Sequence, residues 1–334
     1  VINRENWLLV RRYLEYRQDV DLLGSASLRL EKTWLSHVLI WADSLSFERV
    51  PAHRPTFPQY LQARDLSPVY ISHVTRAARR FFFWLSKHRR GFSVISAAWL
   101  DTLRAPGARA RSEDRSHEFV SYAEICAIAS APVQTIRERR IRASAVFWWL
   151  SGIRVGAFVS LPVSAVDLDK LTVKQHPKMG VKTKFKKHAT TFLLDIPDLL
   201  GVVRSWDEEI RAAGSRFWFA SVSPETGMID PSVFEVGQHR GIRASKDLRC
   251  WLARVGLPYH SPHKFRHGHA VYAIKNARTI SALKAISQNL MHSSLKITDG
   301  VYGVLSDLDV QSEISSLGKK QDDDLIQKLR ELLK

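Results

Sequence analysis

Residues 263–267 read HKFRH, and the architecture can be worked outward from them. His263 and Arg266 stand at i and i+3, so on a helix they share one face. An arginine beside a histidine on a basic protein suits a phosphate. The guanidinium grips two oxygens and the imidazole donates or accepts a proton. Two further clusters flank the box. Upstream is SGIRVGA at 151–157, with Arg154 at its centre; downstream is LMHSS at 290–294, followed ten residues after His292 by Tyr302. Each alone is a weak signal. A lone HxxR is more often a surface pair, and a lone tyrosine is usually packing.

The composition narrows the setting. Fifty Lys and Arg against thirty-three Asp and Glu leave a formal charge of +17 over 334 residues. A surface of that kind attracts polyanions, and double-stranded DNA is the expected partner. The length predicts two domains, each able to bury its own core. Cys126 and Cys250 stand in unrelated contexts, so no disulfide framework or cysteine zinc site is expected, and a reducing compartment fits. No apolar run is long enough for a bilayer and no secretory signal is read, so no membrane partner is expected and the predicted setting is cytoplasm or nucleoid.

Along the chain, helical spacing dominates. Leu28, Leu35, Leu39 and Ala42 mark a helix from about Ser25 to Ser46. Pro68 opens another, running to about Lys87 with Val69, Val74, Phe81, Phe82 and Leu85 inside. Arg76, Arg79, Arg80, Lys87, Arg89 and Arg90 run along or beyond it. Without neighbouring acids in sequence, phosphate contact is as good a reading for them as a solvated face. Ser121-Tyr122-Ala123-Glu124 is a capping box, and a further helix is expected over Val133–Leu150. Leu171–Val173 and Thr191–Leu194 have strand composition. The lysine-rich stretch between them suggests a long β-hairpin. Lys246–Leu305 reads as mostly helical, and Asp322–Lys334 as an amphipathic helix. The expected fold class is therefore mainly α with a small antiparallel β-hairpin or sheet (α+β). Its expected divisions are a helical domain at 1–105, a linker at 106–117, a mixed domain at 118–317 and a terminal helix at 318–334.

Taken together, in this order and spacing, GIR at 152–154, a lysine on the hairpin, HKFRH, MHSS at 291–294 and VYGVL at 301–305 resemble the phage-integrase family of tyrosine recombinases. The resemblance runs in detail from about Phe119 to Leu305, and the helical front domain is similar to that family's SAM-like core-binding domain. Ala157 stands where the family often has Glu, Met291 where it has Gly, and Phe265 where it usually has Leu. None of these removes a reacting group.

The resemblance implies a catalytic set of Arg154, Lys184, His263, Arg266, His292 and Tyr302. Lys182 and Lys178 remain rivals to Lys184 within the hairpin. Tyr302 would attack a DNA phosphate to give a 3′-phosphotyrosine and a free 5′-hydroxyl. Arg154 and Arg266 would hold the non-bridging oxygens. Lys184 would protonate the leaving oxygen, His263 would take the tyrosine proton and His292 would bond the phosphate. No metal or cofactor is required. Zinc on His263 and His267 at i, i+4 is disfavoured because HExxH and nearby cysteines are absent. His267 and His269 are expected as core or supporting residues, Trp148 and Trp149 as core, and Ser293 and Ser294 as helix caps. The resemblance further implies a dimer on each DNA site and a homo-tetramer on two, and leaves room for an accessory DNA-bending factor. The terminal helix would either pack on its own domain or, the favoured reading, be exchanged between protomers. The implied role is a site-specific recombinase, an integrase or transposase of a mobile element. Type IB topoisomerase-like relaxation and a non-catalytic DNA-binding relative are the alternatives.

Overall fold

The computed structural model describes residues 2–104, 118–277 and 279–291. The linker expected at 106–117, the terminal helix expected at 318–334, and His292, Ser293, Ser294 and Tyr302 lie outside them. The chain divides into two compact units, Val1–Arg115 and Ser116–Lys334.

The first unit holds α1 (Arg4–Asp19), α2 (Ser25–Ala42), α3 (Phe57–Gln62), α4 (Pro68–His88) and α5 (Ala97–Thr102). Side-chain caps fix where several begin. Asn3 accepts from the Asn6 amide, Ser67 from Tyr70 and Ser96 from Trp99, each satisfying an amide that has no partner inside the helix. The core is aromatic: Phe47 lies edge-on to both Phe81 and Phe82, with ring centroids 5.4 Å apart in each pair. Val69 is only half-buried, because α4 has barely entered the core at its first turn.

Two of the three arginines of α4 have acidic neighbours. Arg79 meets Asp101 at 2.6 Å and Arg80 meets Glu31 at 3.2 Å. Glu31 is 2% exposed and also takes Arg17 and the hydroxyl of Tyr13. These acids lie 22 and 49 residues from their arginines, so inspection of the helix alone misses them.

The second unit is built round one helix. After α6 (Tyr122–Ser130) comes α7 (Ile136–Ser151), which packs against α6, α9, α10 and α11. From Ala143 to Ser151 every residue is buried, as an all-round contact surface requires. Both α6 and α7 open on complete capping boxes, Ser121 with Glu124 and Thr135 with Glu138. The chain continues through α8 (Val155–Phe158) into a three-stranded antiparallel sheet, β1 (Val166–Asp167), β2 (Thr172–Gln175) and β3 (Ala189–Phe192), in that order. Val173 faces Thr191 and Gln175 faces Ala189 across the β2–β3 ladder. β2 begins one residue later than expected, because Leu171 adopts φ +50° and turns the chain before it, and β3 begins two residues earlier than expected. Then follow α9 (Pro197–Ala212), α10 (Arg240–Arg254), α11 (Pro262–Lys275) and α12 (Ile280–Asn289). The fold class is mainly α with a small antiparallel sheet, as the sequence predicts. Helix α9 was not anticipated, and α10 begins six residues before the helical region read from Lys246. No helix of the described residues is long and apolar enough to cross a membrane.

Candidate active site

The GIR turn is made by the end of α7. Gly152 adopts φ +61° and closes the helix in the left-handed conformation. A side chain there would also collide: a Cβ would fall 2.8 Å from both His269 Cδ2 and Leu290 Cδ2. Arg154, two residues on, becomes the N-cap of α8 and is half-buried.

Helix α11 carries the HKFRH box. Pro262 occupies its first turn, so His263 stands near the positive end of the helix dipole. Gly268 lets α11 approach closely, since a Cβ there would lie 2.0 Å from the Val120 carbonyl oxygen. That same oxygen accepts the indole N–H of Trp149 at 2.9 Å. Trp148 and Trp149 are fully buried core residues.

Arg266 is 3% exposed. Its Nη1 donates to the Gly152 carbonyl and its Nη2 to the Leu290 carbonyl. One guanidinium thus ties the GIR turn, the HKFRH helix and the residue two before His292. His269, one turn further along α11, donates from Nδ1 to the Trp149 carbonyl at 2.9 Å. Burial drives its pKa down to about 4, and the Arg266 charge adds to the fall. The His267 ring lies edge-on to His263, with centroids 4.4 Å apart. His260, by contrast, is drawn to Glu124 at 3.0 Å.

His263 keeps an exposed edge, yet its pKa is lowered. Dehydration against the protein wall is the largest cause, followed by the charges of Arg266, Arg154 and Lys264. The shift favours the neutral imidazole, the form that can accept a proton.

The hairpin lysines come from the connection between β2 and β3. The Lys182 amide donates to Ser160 Oγ at 2.8 Å, fastening the β2–β3 connection to the segment after α8. Gln175, buried at the end of β2, bonds Thr191 Oγ1 at 2.9 Å and stiffens the hairpin base. Asn289, the last residue of α12, exchanges two hydrogen bonds with the main chain of Phe192, at 2.7 and 3.0 Å. It thereby joins the edge strand of the hairpin to the turn that leads into His292.

These elements enclose a cavity of about 450 Å³ lined by Arg154, Gln175, Lys182, Lys184, His263 and Met291, among others. Arg154, Lys184 and His263 are brought together there, whereas the buried Arg266 does not line it. Lys178 does not line it. A larger hollow of about 830 Å³ shares Lys182 but lacks both Arg154 and His263, so the chemistry is concentrated in the smaller one. Among the described residues no group of three or more His, Cys, Asp and Glu is arranged to hold a metal ion. Ser160, Gln175 and Asn289 escaped the sequence reading. Their bonds are to residues 16 to 97 positions away, and no local motif announces such pairs.

No family model and no curated protein matches the chain. Solved structures do. A Tn1549 transposon integrase in complex with circular intermediate DNA superposes with a TM-score of 0.58 at 12% identity, covering 94% of this chain and 99% of that one. The same integrase with transposon right end DNA gives 0.57 at 12% identity, over 93% and 99%. A lambda integrase dimer bound to a COC′ core site gives 0.58 at 13% identity, over 88% and 94%.

Proposed function

Starting from a chain with the fold of the tyrosine recombinases and integrases, we propose that this protein is a site-specific DNA recombinase of a mobile element. The observation that carries the proposal is the cavity in which Arg154, Lys184 and His263 meet, with Arg266 buried on the same helix as His263.

In this reading the scissile phosphate occupies that cavity. Tyr302 attacks it and forms a 3′-phosphotyrosine, and the leaving 5′-oxygen takes a proton from Lys184. Splitting one exchange into two steps retains the phosphodiester energy for rejoining. Arg154 holds the non-bridging oxygens, where negative charge grows in the transition state. Arg266, with two N–H groups committed to backbone carbonyls, contributes mainly its charge. His263, whose surroundings favour the unprotonated ring, receives the tyrosine proton, and His292 adds a hydrogen bond to the phosphate. The helical front unit supplies DNA contacts and the second unit the chemistry. Function as a dimer on each site and a tetramer on two, exchange of the terminal helix between protomers, an accessory DNA-bending factor and a nucleoid setting belong to the same proposal.

A suicide-substrate assay tests it. Metal-free protein is incubated with nicked half-site DNA from its element's junction. The expected result is a covalent adduct on a denaturing gel that Tyr302→Phe abolishes. Tight binding with no adduct from either protein would discard the strand-transfer reading in favour of a DNA-binding role.

A further inference from the structure

Phe185 sits on the β2–β3 connection directly after Lys184. It is 80% exposed, with φ +59°, and Lys186 follows at φ +50°. Two consecutive side-chain-bearing residues in the left-handed region are uncommon, most of all when one is an aromatic. The turn is held in this shape from within. Thr183 Oγ1 donates to the Lys187 carbonyl at 2.7 Å, and the Lys186 amide to the Thr183 carbonyl at 3.2 Å. The Phe185 ring consequently stands out in water instead of folding onto its own sheet.

A single exposed hydrophobic residue is ordinary. This one differs in its company. Lys182, Lys184, Lys186 and Lys187 surround it in sequence, and the Lys184 ammonium lies 5.1 Å from its ring centroid. Lys182 and Lys184 also line the cavity with Arg154 and His263. An apolar protein surface is a poor occupant, because covering the ring would bury several lysine charges. A nucleobase suits both features. Its π-face stacks on the ring while its phosphates answer the lysines, the combination that single-stranded nucleic-acid sites use.

We infer that Phe185 is a base-stacking residue. It engages an unpaired or opened nucleobase beside the phosphate held in the Arg154–Lys184–His263 cavity, and so favours DNA whose pairing is broken next to the reacting bond. This rests on the DNA reading of that cavity. The hairpin then has two duties: Lys184 serves the phosphate and Phe185 holds the neighbouring strand open.

The test uses the full chain and two labelled probes of one mixed sequence, a perfect duplex and the same duplex with a short unpaired stretch carrying 2-aminopurine. Wild-type protein is expected to bind the unpaired probe about tenfold more tightly than the duplex and to change its 2-aminopurine fluorescence. Phe185→Ala loses that preference and the fluorescence change while keeping its affinity for perfect duplex. Phe185→Trp retains both. Because the ring is exposed, neither substitution threatens folding. A wild-type preference that survives in Phe185→Ala, or no preference in wild type, overturns the inference. Failure of every variant to bind either probe instead overturns the DNA reading beneath it.

Discussion

The buried guanidinium of Arg266 donates to the carbonyl of Gly152, joining two residues 114 positions apart. Its other terminal nitrogen reaches Leu290 at 2.5 Å. A planar fork can hold two divergent carbonyls at once, whereas a lysine ammonium on a flexible stem cannot fix both. Arg266→Lys is expected to lower unfolding free energy by roughly 3 kcal/mol, the scale of losing well-made charged hydrogen bonds in a buried site. Urea denaturation measures it. A loss under 1 kcal/mol would mean that the two tethers do not hold the site.

Gly152 and Gly180 offer a matched comparison. Both have positive φ, +61° and +85°, but a Cβ at 152 meets His269 and Leu290 whereas one at 180 meets nothing within 4 Å. Gly180→Ala should cost only the left-handed penalty of about 1 kcal/mol. Gly152→Ala adds overpacking and should cost about 3 kcal/mol or more. Equal losses in the two variants would refute the close approach of α11 and the α12 turn to the GIR turn.

His269 makes stability depend on pH. Its folded pKa of about 4 lies below the ordinary histidine value of 6.5, so between these values the unfolded chain binds the extra proton. The neutral imidazole is accommodated without penalty above about pH 6.5, and stability falls as the pH drops from there toward 4. The contribution of this one residue to the fall is on the order of 3 kcal/mol. His269→Asn, which can still donate to the Trp149 carbonyl, should flatten the profile over that window. Identical slopes for wild type and variant would remove His269 as the cause.

In the front unit two ion pairs should behave oppositely. Glu31 is 2% exposed and is shared by Arg17, Arg80 and the buried Tyr13 hydroxyl, so Glu31→Gln removes the charge that both arginines bond and should cost about 2 kcal/mol. Asp101 and Arg79 are each about half exposed, and Asp101→Asn should cost no more than about 1 kcal/mol. Denaturation midpoints with unchanged slopes report both values. A reversed order would show that solvent exposure is a poor guide to these pairs.

The hairpin lysines are separable by activity. If Lys184 is the proton donor to the leaving oxygen, Lys184→Ala should slow adduct formation by about a hundredfold or more. Lys178, which does not line the cavity, should tolerate the same change. A slow Lys178→Ala beside a normal Lys184→Ala would reassign the donor.

Much of the molecule is written in local sequence. The capping boxes at Ser121 and Thr135, the Pro68 start of α4 and the buried face of Phe81, Phe82 and Leu85 all follow from spacings of a few residues. Helical spacing along most of the chain and two short segments of strand composition foretold the fold class. Helix α9 was not anticipated, although Pro197 stands in its first turn and Leu200, Val203, Trp206 and Ile210 follow at helical spacing along its buried side. What only tertiary structure decided is which distant groups meet: Arg266 with Gly152 and Leu290, Glu31 with Arg80, and Asn289 with the edge of β3. Helix caps and periodicity are set by neighbours along the chain, so sequence alone determines them. Pairings over tens of residues depend on how α7, α11 and α12 pack together, and no short window of sequence contains that packing.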